Sequence, residues 1–254
     1  MKPTKPLNIV IPMAGRGSRF ADAGFLDPKP MIPVGGRPMI EWVIENIKPS
    51  REHHFIFLCL GEHLVRYPQV GEKLRELCPG CDIIPVDQVT EGAACTVLLA
   101  RDLINSEAPL MIANSDQIID LSVDDYLDTA DEADADGLIM TFWADHPKWS
   151  YCRIGDNGWV TEVVEKQVVS NDATVGIYNF ARGADFVRAA EQMIASNLRV
   201  NGEFYVAPTY NQLIAESGKI VVKATGKEGD GMYGMGIPDD LELFKKTDYY
   251  LGRV

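Results

Sequence analysis

Through the first half of the chain, short continuous apolar runs alternate with segments in which apolar residues return every three or four positions. That alternation predicts buried strands separated by helices, the pattern of a mainly parallel sheet covered on both faces. The predicted strands are Asn8–Met13, Phe55–Leu60, Asp82–Val86, Leu110–Ala113 and Gly137–Phe142. Helices are expected at Met39–Ile47, His63–Leu77 with a break near Pro68, Ala93–Leu103 and Val123–Asp131. From about residue 148 strands follow one another closely, at Ser150–Ile154, Trp159–Glu165 and Thr174–Phe180, with Asp156-Asn157-Gly158 as a hairpin turn between the first two. Helices return at Ala184–Ser196, Val206–Ser217 and Asp239–Asp248, with a strand at Lys219–Ala224. No repeat or linker interrupts this order, so the expectation is one domain over 1–254, with a first half at 1–147 and a second at 148–254.

Composition narrows the partners. The chain has 254 residues and a net charge of −13, which argues against a protein that coats nucleic acid or an anionic membrane by bulk attraction. Charges, Gly or Pro interrupt every apolar run before the roughly 18 residues that crossing a bilayer needs. The start, MKPTKPLNIVIPMAGRG, lacks the apolar core and cleavage site of a signal peptide and is expected to be retained. Five cysteines, an odd number, with Cys59, Cys95 and Cys152 inside apolar runs, suit free thiols in a reducing cytoplasm. Cys78-Pro79-Gly80-Cys81 has no second pair at zinc-ribbon spacing and reads as a turn. The acidic stretch from Asp124 to Asp136 lacks the spacing of a calcium loop and reads as a solvated helix face. A homodimer stays open.

The chemistry begins where the first strand runs into Ala14-Gly15-Arg16-Gly17-Ser18-Arg19-Phe20. Glycines after a buried strand let backbone N–H groups approach phosphates, and two arginines add charge. Phe20 excludes the dinucleotide fingerprint, and a Walker loop is absent. Seven residues on comes Asp27-Pro28-Lys29-Pro30-Met31-Ile32-Pro33-Val34-Gly35-Gly36-Arg37-Pro38-Met39-Ile40. Asp116 closes the apolar run Leu110–Ala113 at the strand edge where ligands of open α/β sheets gather, and a hard carboxylate there suits Mg²⁺.

The pairing of the glycine loop with Pro28-Lys29-Pro30 resembles the sugar-phosphate nucleotidylyltransferases, with the small cytidylyltransferases as one branch. Gln88-Val89-Thr90-Glu91-Gly92-Ala93-Ala94, Asn114-Ser115-Asp116, Glu165-Lys166, Val175-Gly176-Ile177-Tyr178 and Gly236-Ile237-Pro238-Asp239-Asp240-Leu241 follow in the order of that family's blocks. The resemblance implies a GT-A-like, Rossmann-like αβα sandwich of the α/β class, with a mostly parallel mixed sheet and an inserted antiparallel substrate lobe. It implies an EC 2.7.7 transferase with Mg²⁺ as cofactor, in which an NTP and a phosphorylated small molecule give a nucleotide conjugate and pyrophosphate. Carried over, Arg19 and Lys29 face the triphosphate, Lys166 the acceptor phosphate, and Asp116 the metal, with Asp120 as a weaker neighbour. Ala14, Gly15, Arg16, Gly17, Gln88, Gly92 and Ala93 would bind the nucleotide, Gln88 reading a pyrimidine edge of CTP, UTP or dTTP. Glu165, Thr174, Gly176 and Glu203 would contact the acceptor.

Two departures weaken a hexose acceptor: the tyrosine-glycine that lines the sugar in the hexose enzymes is not clear in Trp149-Ser150-Tyr151-Cys152, and the other concerns the metal. A second metal aspartate of the hexose enzymes falls on Gly234, with Asp230 and Asp239 as poor substitutes, so phosphocholine-like, phosphonate or other small acceptors stay open. By analogy alone a capsule or surface-polysaccharide pathway is an expectation, and a β-helix domain like that of bifunctional relatives is not expected. His53, His54, His63 and His146 read as surface or helix-entry residues, and no catalytic base is needed. Two other readings are a GT-A glycosyltransferase, which would want a D-x-D motif, and a non-catalytic relative, which would have lost the phosphate-site cations.

Overall fold

Alternation along the buried strands decides the layering. In β1 (Leu7–Met13), Leu7, Ile9, Ile11 and Met13 pack into one core, while Val10 packs into a second on the opposite face. β4 (His53–Leu60) divides in the same way, Phe55, Phe57 and Cys59 against Ile56, Leu58 and Leu60. A strand with both faces apolar needs a helical layer on each side, and the computed structural model supplies both. It describes residues 5–254; the retained N-terminus expected above begins with residues 1–4, which lie outside the described residues. The first layer includes the helices Met39–Ile47, Val123–Ala133 and Pro238–Phe244; the second includes Ala93–Leu98, Gly183–Ala195 and Tyr210–Ala215.

The remaining strands, in chain order, are the short hairpin β2 (Pro33–Val34) and β3 (Arg37–Pro38), then β5 (Asp82–Val86), β6 (Leu110–Ala113), β7 (Gln117–Ile119) and β8 (Gly137–Trp143). They continue as β9 (Ser150–Ile154), β10 (Val160–Glu165), β11 (Asp172–Phe180), β12 (Ile220–Glu228) and β13 (Gly231–Gly234). The main sheet runs β5-β4-β1-β6-β11-β8-β12-β13-β7, with β9 and β10 attached beside β11. β5, β4, β1 and β6 are parallel, as are β8, β12 and β13; antiparallel β11 joins the two blocks. Strands from 1–147 and from 148–254 thus lie in one sheet, and the β9–β10 hairpin is the antiparallel lobe. Its Asp156-Asn157-Gly158 turn closes as expected, with Gly158 at φ 82° and Gly155 N–H donating to the Trp159 carbonyl at 2.9 Å.

Several expectations are corrected. The short edge strands β7 and β13 were not expected, because three or four residues flanked by Asp and Gly carry no readable period. The helix foreseen at Ala93–Leu103 is two pieces, Ala93–Leu98 and Arg101–Ile104, and the one at Asp239–Asp248 is also two, Pro238–Phe244 and Asp248–Leu251. Ser18–Asp22, read as part of the glycine loop, is a helical turn anchored by buried Phe20. His53 and His54 are half-buried on β4 rather than at the surface. Cys78–Cys81 is a turn, with Gly80 at φ 83° and Cys81 N–H donating to the Cys78 carbonyl at 3.1 Å.

Candidate active site

The carboxyl ends of β1 and β6 lie side by side, so the loops leaving them must share one edge of the sheet. The loop after β1 turns at Gly17, where φ is 63° and a β-carbon would stand 3.2 Å from the Lys29 β-carbon. That close approach brings the rigid Pro28-Lys29-Pro30 segment beneath the glycine turn. The Lys29 ammonium then reaches across to the Asp116 carboxylate, in a short ion pair whose side chains are 21% and 17% exposed. Asp116 is fixed from the other side: its carbonyl accepts from Met235 N–H at 2.7 Å, and Gln117 donates to Oδ1 at 3.2 Å when its amide nitrogen faces the acceptors.

These groups wall a hollow of about 590 Å³. Gly15, Gly17, Arg19, Lys29, Asp116 and Glu203, all expected from sequence, line it together with Asn114, Ser115, Gln117 and Gly236. A second hollow of about 170 Å³ holds Ala93, Glu165, Thr174 and Gly176, with Trp149, Ser150 and Tyr205. Asn114 and Gln117 belong to the walls of both, so the two compartments meet across this pair.

Lys166 stands at the exit of β10 in left-handed backbone, φ 56°, and donates to the hydroxyl of Tyr205, a residue of the second compartment, at 2.7 Å. That hydrogen bond, aided by the charges of Glu165 and Glu203, holds the lysine above its usual range, so it stays cationic at neutral pH. Glu165 is buried and accepts from the Ser150 hydroxyl; burial pushes its carboxyl up, against the opposing pull of Ser150 and Lys166. The second compartment therefore holds a buried carboxyl, and Tyr205 of its wall is the partner of Lys166, which itself lines neither compartment.

Two glycines carry the architecture. Gly176, at φ 98°, sits where the β11–β8 register shifts, and a β-carbon there would lie 2.1 Å from the Asn114 amide nitrogen. Gly92, at φ 133°, lies against the backbone of Phe204, which would be 2.4 Å from its β-carbon; Phe204 N–H donates to the Glu91 carbonyl at 2.8 Å and its carbonyl accepts from Ala94 N–H at 3.0 Å. Gly92 thus docks the loop that presents Glu203 and Tyr205. Gly176→Ala is expected to lower stability by about 1–3 kcal/mol from backbone strain alone and to displace Asn114 between the compartments. Thermal unfolding checks the first effect; an unchanged midpoint would refute the close fit.

Not every expected residue converges. Ala14 is buried beneath the loop, Arg16 is exposed, and neither lines the hollow. Gln88 is exposed beyond the end of β5 and touches neither compartment. Asp120 is a correction: it faces a separate hollow with Asn46, Tyr249 and Arg253. Asp230 and Asp239 are exposed, whereas Asp240, not singled out from sequence, is half-buried with its carboxylate 3.5 Å from where a Gly234 β-carbon would be. Burial and the nearby Glu228, Asp116 and Asp239 charges push its carboxyl up, with Lys148 opposing. Asn114, Gln117, Ser150 and Tyr205 were also missed. The first two flank Asp116 in the Asn114-Ser115-Asp116-Gln117 run and were readable there; Tyr205 lies in a loop with no local signal.

Glycines, a lysine, an arginine and one carboxylate at the carboxyl edge of an open, doubly covered sheet define a nucleotide-handling α/β protein. More narrowly, the chain belongs to the nucleotidyl transferase family, whose profile matches residues 9–202. It is 27% identical over 222 residues to the bifunctional protein GlmU of Methanococcus maripaludis strain C5, covering 84% of this chain and 48% of that one. The chain thus spans about half the length of that relative. It is 24% identical over 221 residues to the UTP–glucose-1-phosphate uridylyltransferase AglF of Haloferax volcanii, covering 85% of this chain and 86% of that one. Among solved structures, a nucleoside-diphosphate-sugar pyrophosphorylase from Vibrio cholerae RC9 superposes with a TM-score of 0.82 at 26% identity, over 94% of this chain and 100% of the other. The expected family and fold class are both borne out.

Proposed function

We propose that this chain is a divalent-metal-dependent nucleotidylyltransferase that transfers a nucleoside monophosphate from a pyrimidine NTP to a small phosphorylated acceptor. The observation that carries the reading is the meeting of Lys29 and Asp116 in one compartment that adjoins, through Asn114 and Gln117, a second compartment whose Tyr205 is the hydrogen-bond partner of Lys166. A triphosphate and a phosphate monoester bring about five to six negative charges together, so their repulsion is the first barrier that local cations must offset.

In this reading Arg19, Lys29 and the glycine turn hold the triphosphate, and Lys166 holds the acceptor phosphate. An acceptor oxygen attacks the α-phosphorus, the bond from that phosphorus to the bridging oxygen breaks, and pyrophosphate leaves with the electron pair. No protein base is required, because a phosphate monoester with a second pKa of about 6 is largely dianionic at neutral pH. The residues supply positioning and charge, the main levers of phosphoryl-type transfer. Glu165 and Ser150 would receive polar groups of the acceptor.

The side chains fit a hard cation. Asp116 already carries a cationic partner in Lys29, and Gly236 leaves its carboxylate uncrowded, a β-carbon there being 2.9 Å from Oδ2. Among the described residues no group of three or more His, Cys, Asp or Glu forms a cage, and Mg²⁺ commonly takes one or two carboxylates beside substrate phosphates. When bound through Asp116, such an ion would supply charge to the phosphate oxygens. The relatives named for UTP and glucose 1-phosphate favour a sugar phosphate acceptor, and Gly234 keeps smaller acceptors in the test. That test is a pyrophosphate-release screen of four NTPs against phosphorylated sugars, amines and phosphonates. One pyrimidine NTP with one acceptor should release pyrophosphate, and EDTA should abolish the release; activity persisting in metal-free buffer, or none with any pair, would overturn the reading.

A further inference from the structure

We infer that Arg199 is a positioning residue: it straps the hairpin that carries Glu203 to the loop after β5, and so sets where Glu203 meets the acceptor. The inference rests on the function proposed above and adds to it a residue that lines neither compartment. Val200 and Glu203 exchange both backbone hydrogen bonds at 3.0 Å, with Asn201 at φ 50° and Gly202 at φ 83° between them. Positive φ at both central residues is the tight turn that suits a two-residue hairpin. The turn therefore keeps one shape, but Asn201, Gly202 and Glu203 are all exposed and need an anchor.

The anchor is the Arg199 guanidinium. It donates to the Gly202 carbonyl at 3.2 Å within the hairpin, to Asn197 Oδ1 at 2.6 Å before it, and to Glu91 Oε2 at 3.1 Å in the loop after β5. Its central carbon lies 4.2 Å from the centre of the Phe204 ring. A planar fork that bonds in several directions while stacking on a ring is what arginine offers and lysine does not. The backbone of Phe204 is docked independently, donating to the Glu91 carbonyl and accepting from Ala94 N–H. Loss of the guanidinium therefore frees the hairpin tip without undocking the loop. Glu203 lines the larger compartment, while its charge reaches Glu165, Lys166 and Tyr205 on the side of the second. A carboxylate so placed repels phosphates and suits a hydrogen-bond donor of the acceptor.

Arg199→Ala should raise the acceptor KM about tenfold, the scale of lost charge-assisted hydrogen bonds, and leave the thermal midpoint and the NTP KM unchanged. In a Glu203→Gln background the same substitution should add less than about twofold, because residues acting through one contact are not additive. A readout independent of activity is amide hydrogen exchange of the free chain, resolved by residue. In Arg199→Ala, exchange should quicken at Val200 and Glu203 and stay slow at Ala94 and Phe204. Unchanged exchange at Val200 and Glu203 would overturn the inference whatever the chain catalyses. So would an unchanged acceptor KM, an equal rise in both backgrounds, or a lowered midpoint with both KM values rising together. Pyrophosphate release by the unsubstituted chain with no pair would overturn the proposed function and the acceptor role with it, while exchange still decides the strap.

Discussion

Asp116→Asn should lower turnover by about 10²–10³-fold, the range seen when one preorganised charge-stabilising group is removed from a reaction centre, while the fold survives. The substitution keeps shape and removes charge. Asparagine can still receive the Gln117 amide, and the Asp116 backbone carbonyl keeps its bond from Met235 N–H. The lost ion pair with Lys29 is partly exposed, so its loss should cost no more than about 1 kcal/mol of stability. What disappears is the carboxylate that pairs with Lys29 in the larger hollow and that, in the proposed reading, offers a hard ligand to a cation beside the triphosphate. Activity is read by pyrophosphate release and integrity by circular dichroism and thermal unfolding. Turnover within tenfold of the unsubstituted chain would remove Asp116 from the centre of the mechanism.

Sequence and structure agree most closely where burial imposes a period. The strands β1, β4, β5, β6 and β11 and the helix Met39–Ile47 were legible because each carries an apolar pattern that one geometry satisfies. The glycine turn, Lys29 and Asp116 were legible because each follows a strand or sits between prolines, so its place on the sheet edge follows from the strand. The rest depends on contacts between distant segments. Nothing near Gly92 announces that Phe204 will press against it, and nothing near Gly234 announces that Asp240 will face it. Gln88 is the converse case: its chemistry suits a base edge, yet in the free chain it is exposed in the loop beyond β5, outside the lining of both compartments. Residue type indicates what a side chain can do, whereas its presence in a site is decided by tertiary packing.

Lys29 provides the second large effect, and its two parts run in opposite directions. In the free chain its ammonium rests on Asp116, where the proposed mechanism places a metal ion. Binding an NTP would give the lysine stronger anionic partners, since each phosphate oxygen offers a charge-assisted bond, and would release Asp116 as the ion arrives. Lys29→Gln should therefore tighten Mn²⁺ binding to the free chain several-fold, because the competing cation is gone. The same change should cut turnover about 10²-fold or more by removing a positive charge that stabilises the oxygens of the pentacoordinate transition state. A lysine that merely closes a loop would show neither the gain nor the divergence: its removal would leave metal affinity alone and lower the thermal midpoint instead. Mn²⁺ titration and pyrophosphate release on one preparation decide between these. If metal binding weakens in parallel with turnover, Lys29 supports the shape of the site rather than exchanging partners within it, because only an ammonium competing for Asp116 can be displaced to the metal's advantage.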